Sequence, residues 1–283
     1  MKIKKTSKAL LFLAFGMISM SSVAQKITVP APSPLQTTTQ KFGLGEVTIE
    51  YSRPAAKGRA IFGDVVPFGK VWRTGANATT KITFTDDVKI EGKGIKAGTY
   101  GLYSIPNKDS WEVMLYSDLN LNGNVADYDM EKEVARFKVK PAKTASKVES
   151  FTINVENVFP TEATLVISWE NTMVPLKLTT DIDARVMKSI DESMKSEKPE
   201  YFRAATYYFE NGKDLKQALT WVNKATDESP KAFYMFLLKA KIEYAMKDKT
   251  AGKASAEKTI ALAKEAKNED YVVLATKLMA DNK

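Results

Sequence analysis

The chain has 283 residues, with 42 Lys or Arg against 34 Asp or Glu, a formal charge of +8, and neither His nor Cys. Without Cys there is no disulfide, thiolate nucleophile, zinc–thiolate or iron–sulfur site, and without His no Ser–His–Asp or Cys–His dyad, imidazole metal ligand or imidazole proton shuttle. Catalysis would have to run on Asp, Glu, Lys, Tyr, Arg and Ser, so the composition points away from an enzyme and toward binding.

In chain order, Lys2, Lys4, Lys5 and Lys8 precede an apolar run from Ala9 to Met20, and Ser22-Val23-Ala24 follows before Gln25. Basic, apolar, then small-x-small is the order of a secretory signal peptide, here expected to be cleaved after Ala24. The run falls short of the ~20 residues that a spanning helix needs, and no later segment reaches that length. A periplasmic or secreted protein with no membrane span after cleavage is therefore expected, and with no Cys after the run a lipoprotein anchor is excluded. Those four lysines carry half of the +8 charge. Neither half of the remaining chain has a dense basic block with interleaved aromatics, so no nucleic-acid partner is expected.

Gln25 to about Gln40 is rich in Pro, Thr and Gln and reads as an extended lead. From 41 to 181 apolar residues alternate: Val47, Ile49 and Tyr51; Ile82 and Phe84; Val88 and Ile90; Trp111, Val113 and Leu115. The alternation continues through Phe137 and Val139, Phe151 to Val155, Leu165 to Trp169, and Val174 to Leu178. Period two in short Val/Ile/aromatic runs, split by turn signals such as Asp86-Asp87 and Asn122-Gly123, predicts eight or nine half-buried antiparallel strands. The expectation is an α+β chain of two domains, beginning with a jelly-roll-like antiparallel β-sandwich.

After Thr180 the period changes to that of amphipathic helices, and 182–283 is expected to be a small all-α array. Val186, Met187, Ile190 and Met194 share a face, and Leu215, Ala218, Leu219, Val222 and Ala225 share a cleaner one, with Asp214 as its N-cap. Further helices fit roughly 199–211, 231–247, 252–267 and 269–281. Taking Pro230 as the closing proline of a 34-residue unit puts Phe202, Ala205, Phe209, Ala218, Val222 and Ala225 at the apolar and small positions of a tetratricopeptide repeat, which 199–232 resembles. A looser second copy, with Phe236, Ala240, Ala254 and Ala261, needs two residues inserted in its turn. An ordinary helical bundle is the alternative.

The densest unusual stretch runs from Tyr51 to Thr80, glycine-punctuated and too irregular for a strand. Within it Arg53, Arg59, Trp72, Arg73 and Asn77 offer fork-shaped donors, a stacking face and an amide, a set suited to carboxylate, phosphate or sugar hydroxyls. The competing reading is that Trp72, Phe62 and Phe68 plug the sandwich while the arginines tie loops to backbone carbonyls.

Ser52-Arg-Pro54, Lys57-Gly-Arg59, Ile61-Phe-Gly63, Val66-Pro-Phe-Gly-Lys-Val-Trp-Arg-Thr-Gly-Ala-Asn77 and Ala97-Gly-Thr-Tyr-Gly-Leu-Tyr-Ser-Ile-Pro106 together resemble a family of exported Gram-negative bacterial proteins. That family is known only as a domain of unknown function, number twenty-nine eleven. The resemblance covers about 40–180 and implies export, a β domain and, commonly, a tetratricopeptide-like helical tail. It supplies no reaction. Members usually carry an acidic residue directly after the Asn, where this chain has Ala78.

Two other patterns invite chemistry. Asp118, Asn120, Asn122, Gly123 and Asp129 satisfy the calcium-loop template D-x-[DN]-x-[DN]-G with an acid at position twelve. Position twelve is Asp rather than the bidentate Glu, and strands flank the segment, so a long loop around an Asn-Gly turn is the expected reading and no metal is assigned. Glu50, Asp64 and Glu91 are candidates for paired-carboxylate chemistry by type alone. No phosphate-cradling loop or cofactor motif is present. The expected function is non-enzymatic binding or assembly in the cell envelope: the β domain recognising a glycan or anionic small molecule, the tail docking a protein or peptide. A carboxylate-based carbohydrate-processing or carbohydrate-binding module is the alternative.

Overall fold

The structure, a computed structural model, describes residues 28–283. The expected signal peptide, 1–24, lies outside them. Ten strands come first: β1 (Leu35–Phe42), β2 (Gly45–Ser52), β3 (Ala76–Phe84), β4 (Val88–Ile90), β5 (Lys93–Ile95), β6 (Gly98–Ile105), β7 (Trp111–Tyr116), β8 (Glu133–Val139), β9 (Ala142–Glu156) and β10 (Glu162–Thr179). Six helices follow: α1 (Asp183–Ser193), α2 (Tyr201–Glu210), α3 (Leu215–Glu228), α4 (Phe233–Ala245), α5 (Lys249–Glu265) and α6 (Glu269–Asp281). Among the described residues no helix is long and apolar enough to cross a membrane.

The strands form two antiparallel sheets, β1-β2-β3-β6-β7-β8 and β5-β4-β10-β9. Their facing sides supply one core, with Val47, Ile49, Ile82, Leu102, Val113 and Phe137 from the first sheet against Ile90, Ile153, Leu165, Ile167 and Leu176 from the second. Alternation is legible because each of these strands buries one face only. β6 and β7 are exceptions: Tyr103, Met114 and Tyr116 on the outer face are covered by Leu121, Val125 and Tyr128 of the β7–β8 connection. Hence Trp111 to Tyr116 reads as a nearly continuous apolar run.

Two expectations are revised. The lead ends at Pro34, because Leu35–Phe42 pairs along its whole length with β2 as an edge strand, its Thr-rich pattern suiting a pleated and largely exposed surface. The two runs Leu165–Trp169 and Val174–Leu178 belong to one strand, β10. Their alternation differs in phase by one residue, and a bulge absorbs the slip: register shifts fall at Glu170 and Thr172, where Glu170 takes a φ of 50°.

The tail is an array of antiparallel helical hairpins, in which consecutive helices pack, α2 touches α4, and α4 touches α6. Phe202, Ala205, Phe209, Ala218 and Val222 lie in its first core as the repeat pattern requires. The second copy sits in a different register from the one read from sequence, for Ala254 and Ala261 are exposed. An uninterrupted 34-residue step instead carries Ala218, Val222 and Ala225 onto Gly252, Ala256 and Thr259, all buried. The N-cap repeats at the same step, Asp214 accepting from Lys216 and Gln217 N–H and Asp248 from Ala251 N–H.

Gly252 is fixed by packing. A Cβ there would lie 2.8 Å from the Tyr244 ring, so Gly252→Ala is expected to destabilise the tail by up to about 2 kcal/mol. Overpacking costs about 1–3 kcal/mol and outweighs the ~1 kcal/mol of helix propensity that Ala regains. Urea unfolding followed at the far-ultraviolet helical signal measures this.

Glu243 lies between the same helices, 6 % exposed, with Oε2 buried and unpartnered. Burial pushes its carboxyl above the ordinary 4.5, with Asp248 adding to the rise, while Ser255 and Lys239 pull it back. A raised folded-state pKa means that ionisation opposes folding, so this penalty is absent below the unfolded value and grows as pH rises through the folded one. Glu243→Gln is therefore expected to raise Tm at pH 7, with the gain vanishing below about pH 4.5. A pH series of thermal melts checks it.

Candidate functional site

The β2–β3 connection, residues 53–75, wraps one end of the sandwich. Its backbone is held by three isolated bridges, Ala55 with Ser150, Phe62 with Val66, and Trp72 with Ser104. The last is reciprocal, Trp72 N–H to Ser104 O at 2.8 Å and Ser104 N–H to Trp72 O at 2.9 Å. It sends the Trp72 ring into the open end of the core. There Trp72 stacks on Trp169 at 6.1 Å and 17°, and meets Phe151 and Phe62 edge-on at 5.1 and 6.2 Å. Phe62 in turn stands 4.9 Å from Trp111. Three of the protein's four tryptophans thus close one end of the sandwich.

Two residues beyond Trp72 the backbone bears strain. Thr74, fully buried and β-branched, has a φ of 50°, a region that costs such a residue about 1–3 kcal/mol and persists only when its surroundings overdetermine it. Its hydroxyl donates to Ser104 Oγ at 2.9 Å and its carbonyl accepts from Thr80 Oγ1 at 2.7 Å. Gly75 follows at a φ of 153°, where a Cβ would meet Thr80 Oγ1 at 2.7 Å.

A cavity of about 340 Å³ opens beside this knot, lined among others by Lys57, Arg59, Arg73, Val65, Trp72 and Trp169. Its size falls at the lower end of ordinary small-ligand sites. No acidic side chain lines it. Lys57 and Gly58, with φ of 51° and 73°, form a tight turn that brings Arg59 N–H to Ala56 O at 3.1 Å. Glu149, the nearest acid to that turn, accepts from Lys57 N–H at 2.7 Å.

The five residues singled out from sequence divide. Arg59, Trp72 and Arg73 come together on the cavity wall. Arg53 does not: Nε donates to Phe151 O at 3.0 Å, Nη1 to Gln36 Oε1 at 2.6 Å and Nη2 to Thr152 Oγ1 at 2.9 Å, a structural clamp. Nor does Asn77, whose Nδ2 donates to Ser33 O and Ser52 Oγ, both at 3.2 Å. Arg59 is partly spent, on Ala56 O and Ala55 O at 3.0 and 2.8 Å. Arg73 is the least committed: its Nε is buried without a partner, and Nη1 lies 3.0 Å from where a Cβ on Gly123 would stand, so that glycine leaves it room. Sequence reasoning missed Lys57, which the Lys57-Gly58-Arg59 turn signal flags, and Trp169, which no local signal does.

The other patterns are absorbed by the fold. Asp118 accepts from Asn120 N–H and pairs with Lys132 Nζ at 3.0 Å, contacts that hold its carboxyl below the usual carboxylate range. Asn122 Oδ1 accepts from Thr79 N–H at 3.2 Å, and Asp129 caps Glu131 N–H at 2.9 Å. The oxygens of the calcium template therefore serve the loop itself. Among the described residues no group of three or more acidic side chains is arranged to hold a metal ion. Glu50 pairs with Lys81 at 3.1 Å, Glu91 accepts from Lys177 N–H in the β4–β5 turn, and Asp64 is exposed on the loop, so these three share no site.

The ten strands, except Thr179 at the end of β10, and the Trp72-Arg-Thr-Gly-Ala-Asn77 knot lie within 33–178, the segment that matches the family model described as "Protein of unknown function (DUF2911)". The chain belongs to this family. No curated protein matches it. The DUF2911 segment includes every residue that lines the cavity except Pro32, and it ends at Leu178, just before the helical tail.

Proposed function

We propose that the protein is an exported, non-enzymatic binding protein whose β domain takes up a small organic anion in the cavity beside Trp72. The observation that carries this reading is the chemistry of the wall: its charged residues, Lys57, Arg59 and Arg73, are all cationic, over a floor of Trp72 and Trp169. Strain at Thr74 beside this cavity accords with a site held ready for a ligand. Pro32, Pro54 and Val65 make the remaining wall apolar, so the anion's body is apolar or aromatic. Paired-carboxylate hydrolysis has no support here, since the wall lacks the two acids that such chemistry requires.

Export rests on the basic, apolar, small-residue order of 1–24. The helical hairpins, with Tyr234, Val273 and Leu274 exposed on them, would serve as the docking element for a protein or peptide of the envelope.

Calorimetric titration with benzoate, phenyl phosphate and neutral benzyl alcohol at low salt tests the β-domain reading. Binding of an aryl anion but not of the alcohol is expected, and the Lys57→Ala/Arg59→Ala double variant should weaken it at least about tenfold, some 1.4 kcal/mol. Equal affinity for the alcohol, or a double variant that binds as wild type does, would sink the idea.

A further inference from the structure

Phe62 borders a second cavity, of about 480 Å³, with a different chemistry. Phe62, Phe68 and Trp111 supply aromatic surface, while Asn107, Glu170, Asn171 and Thr172 supply side-chain oxygens that accept hydrogen bonds. Lys108 and Lys143 add donors, leaving the wall with a single excess positive charge against the uniformly cationic first cavity.

The β10 bulge makes this arrangement. In a regular strand consecutive side chains point to opposite faces, so three neighbours cannot share one surface. Here the left-handed turn at Glu170, φ 50°, falls opposite an unpaired excess of residues in β9: Glu170 pairs with Val148, but Thr172 pairs with Lys143. Glu170, Asn171 and Thr172 therefore all line the cavity. One Glu170 oxygen accepts from Ile61 N–H at 3.1 Å, which anchors the carboxylate to the wall. Among the described residues, the amides of Asn107 and Asn171 make no hydrogen bond to the protein.

We propose that this second cavity is a binding site for neutral saccharides. A sugar ring presents an apolar face, which aromatic side chains cover, and hydroxyls that each donate and accept. It is therefore matched by a wall holding rings, free amides and a carboxylate, and poorly matched by one holding almost only donors. The cavity binds without cleaving, because Glu170 is the sole carboxylate on its wall and glycosidic hydrolysis needs a pair. This inference is independent of the anion site.

Cellotetraose, chitotetraose and maltotetraose, titrated into the mature full-length chain and read by calorimetry and tryptophan fluorescence, test it. At least one is expected to bind, with Asn171→Ala and Asn107→Ala each weakening it by about tenfold. Both side chains lie at the surface or half-buried without packing roles in the core, so the variants should fold as wild type does. The Lys57→Ala/Arg59→Ala variant should bind the same saccharide unchanged. Failure of all three probes to bind, or binding that neither asparagine variant weakens, would overturn the proposal, and loss in the lysine–arginine variant would reassign the sugar to the first cavity.

Discussion

Replacing Trp169 by Ala is expected to cost the β domain about 3–5 kcal/mol, the range for deleting a fully buried aromatic. Trp169 is 2 % exposed and stacks on Trp72, meets Phe151 at 5.6 Å and Phe62 at 6.3 Å, and donates from its indole to Glu149 O at 3.1 Å. Its removal leaves a cavity under the strained 72–75 knot and takes a stacking partner from Trp72. Domains are stable by about 5–15 kcal/mol, so this one change consumes a large share. Urea unfolding followed by near-ultraviolet circular dichroism should show the midpoint of the β domain fall sharply, while the far-ultraviolet transition of the helical tail moves much less. A loss under about 1 kcal/mol would mean that the aromatic cluster does not hold this end closed.

Arg53→Ala is the second large effect, about 2–3 kcal/mol. Hydrogen bonds from a charged donor contribute about 1.5–3 kcal/mol each, and Arg53 makes three, to Gln36 of β1 and to Phe151 and Thr152 of β9. Partial exposure reduces the sum, because water can reach the abandoned carbonyl and hydroxyl. The clamp joins the edge strand of one sheet to the edge strand of the other, and its backbone N–H adds a bond to Pro34 O at 2.9 Å. Equilibrium unfolding measures the loss. Titration of the folded variant with phenyl phosphate separates this role from a ligand role: affinity should match wild type, in contrast to the Lys57→Ala/Arg59→Ala protein. A variant of unchanged stability and lost affinity would return Arg53 to the site.

Much of the fold was legible because its signals are local. The strands β2, β3, β4 and β7 through β10 announce themselves by alternation, and the helices by period and by caps such as Asp214, whereas β5 and β6 show none: β5 follows a tight turn, and β6 buries both faces along Gly101–Ser104. Legibility failed where packing overruled pattern. β10 looked like two strands because a bulge shifts its phase. The second helical hairpin was read out of register because Gly252 and Thr259, which hold core positions, are not apolar by type. Glycine is there for closeness to Tyr244, a reason invisible without the neighbouring helix. At the site, the 53–77 stretch was recognisable by its glycines and arginines, yet the roles within it were not.

The sequence by itself determined that imidazole and thiolate chemistry are absent, and that a sheet-forming segment gives way to a helical one near Thr180. Composition and periodicity are properties of the chain alone. Only the tertiary structure decided which arginines are spent. Two of the three acceptors of Arg53 lie 98 and 99 residues away along the chain, and Trp169 reaches the cavity from β10. A side chain's freedom to bind depends on whether a distant segment has already satisfied it, and that is settled when the sheets close.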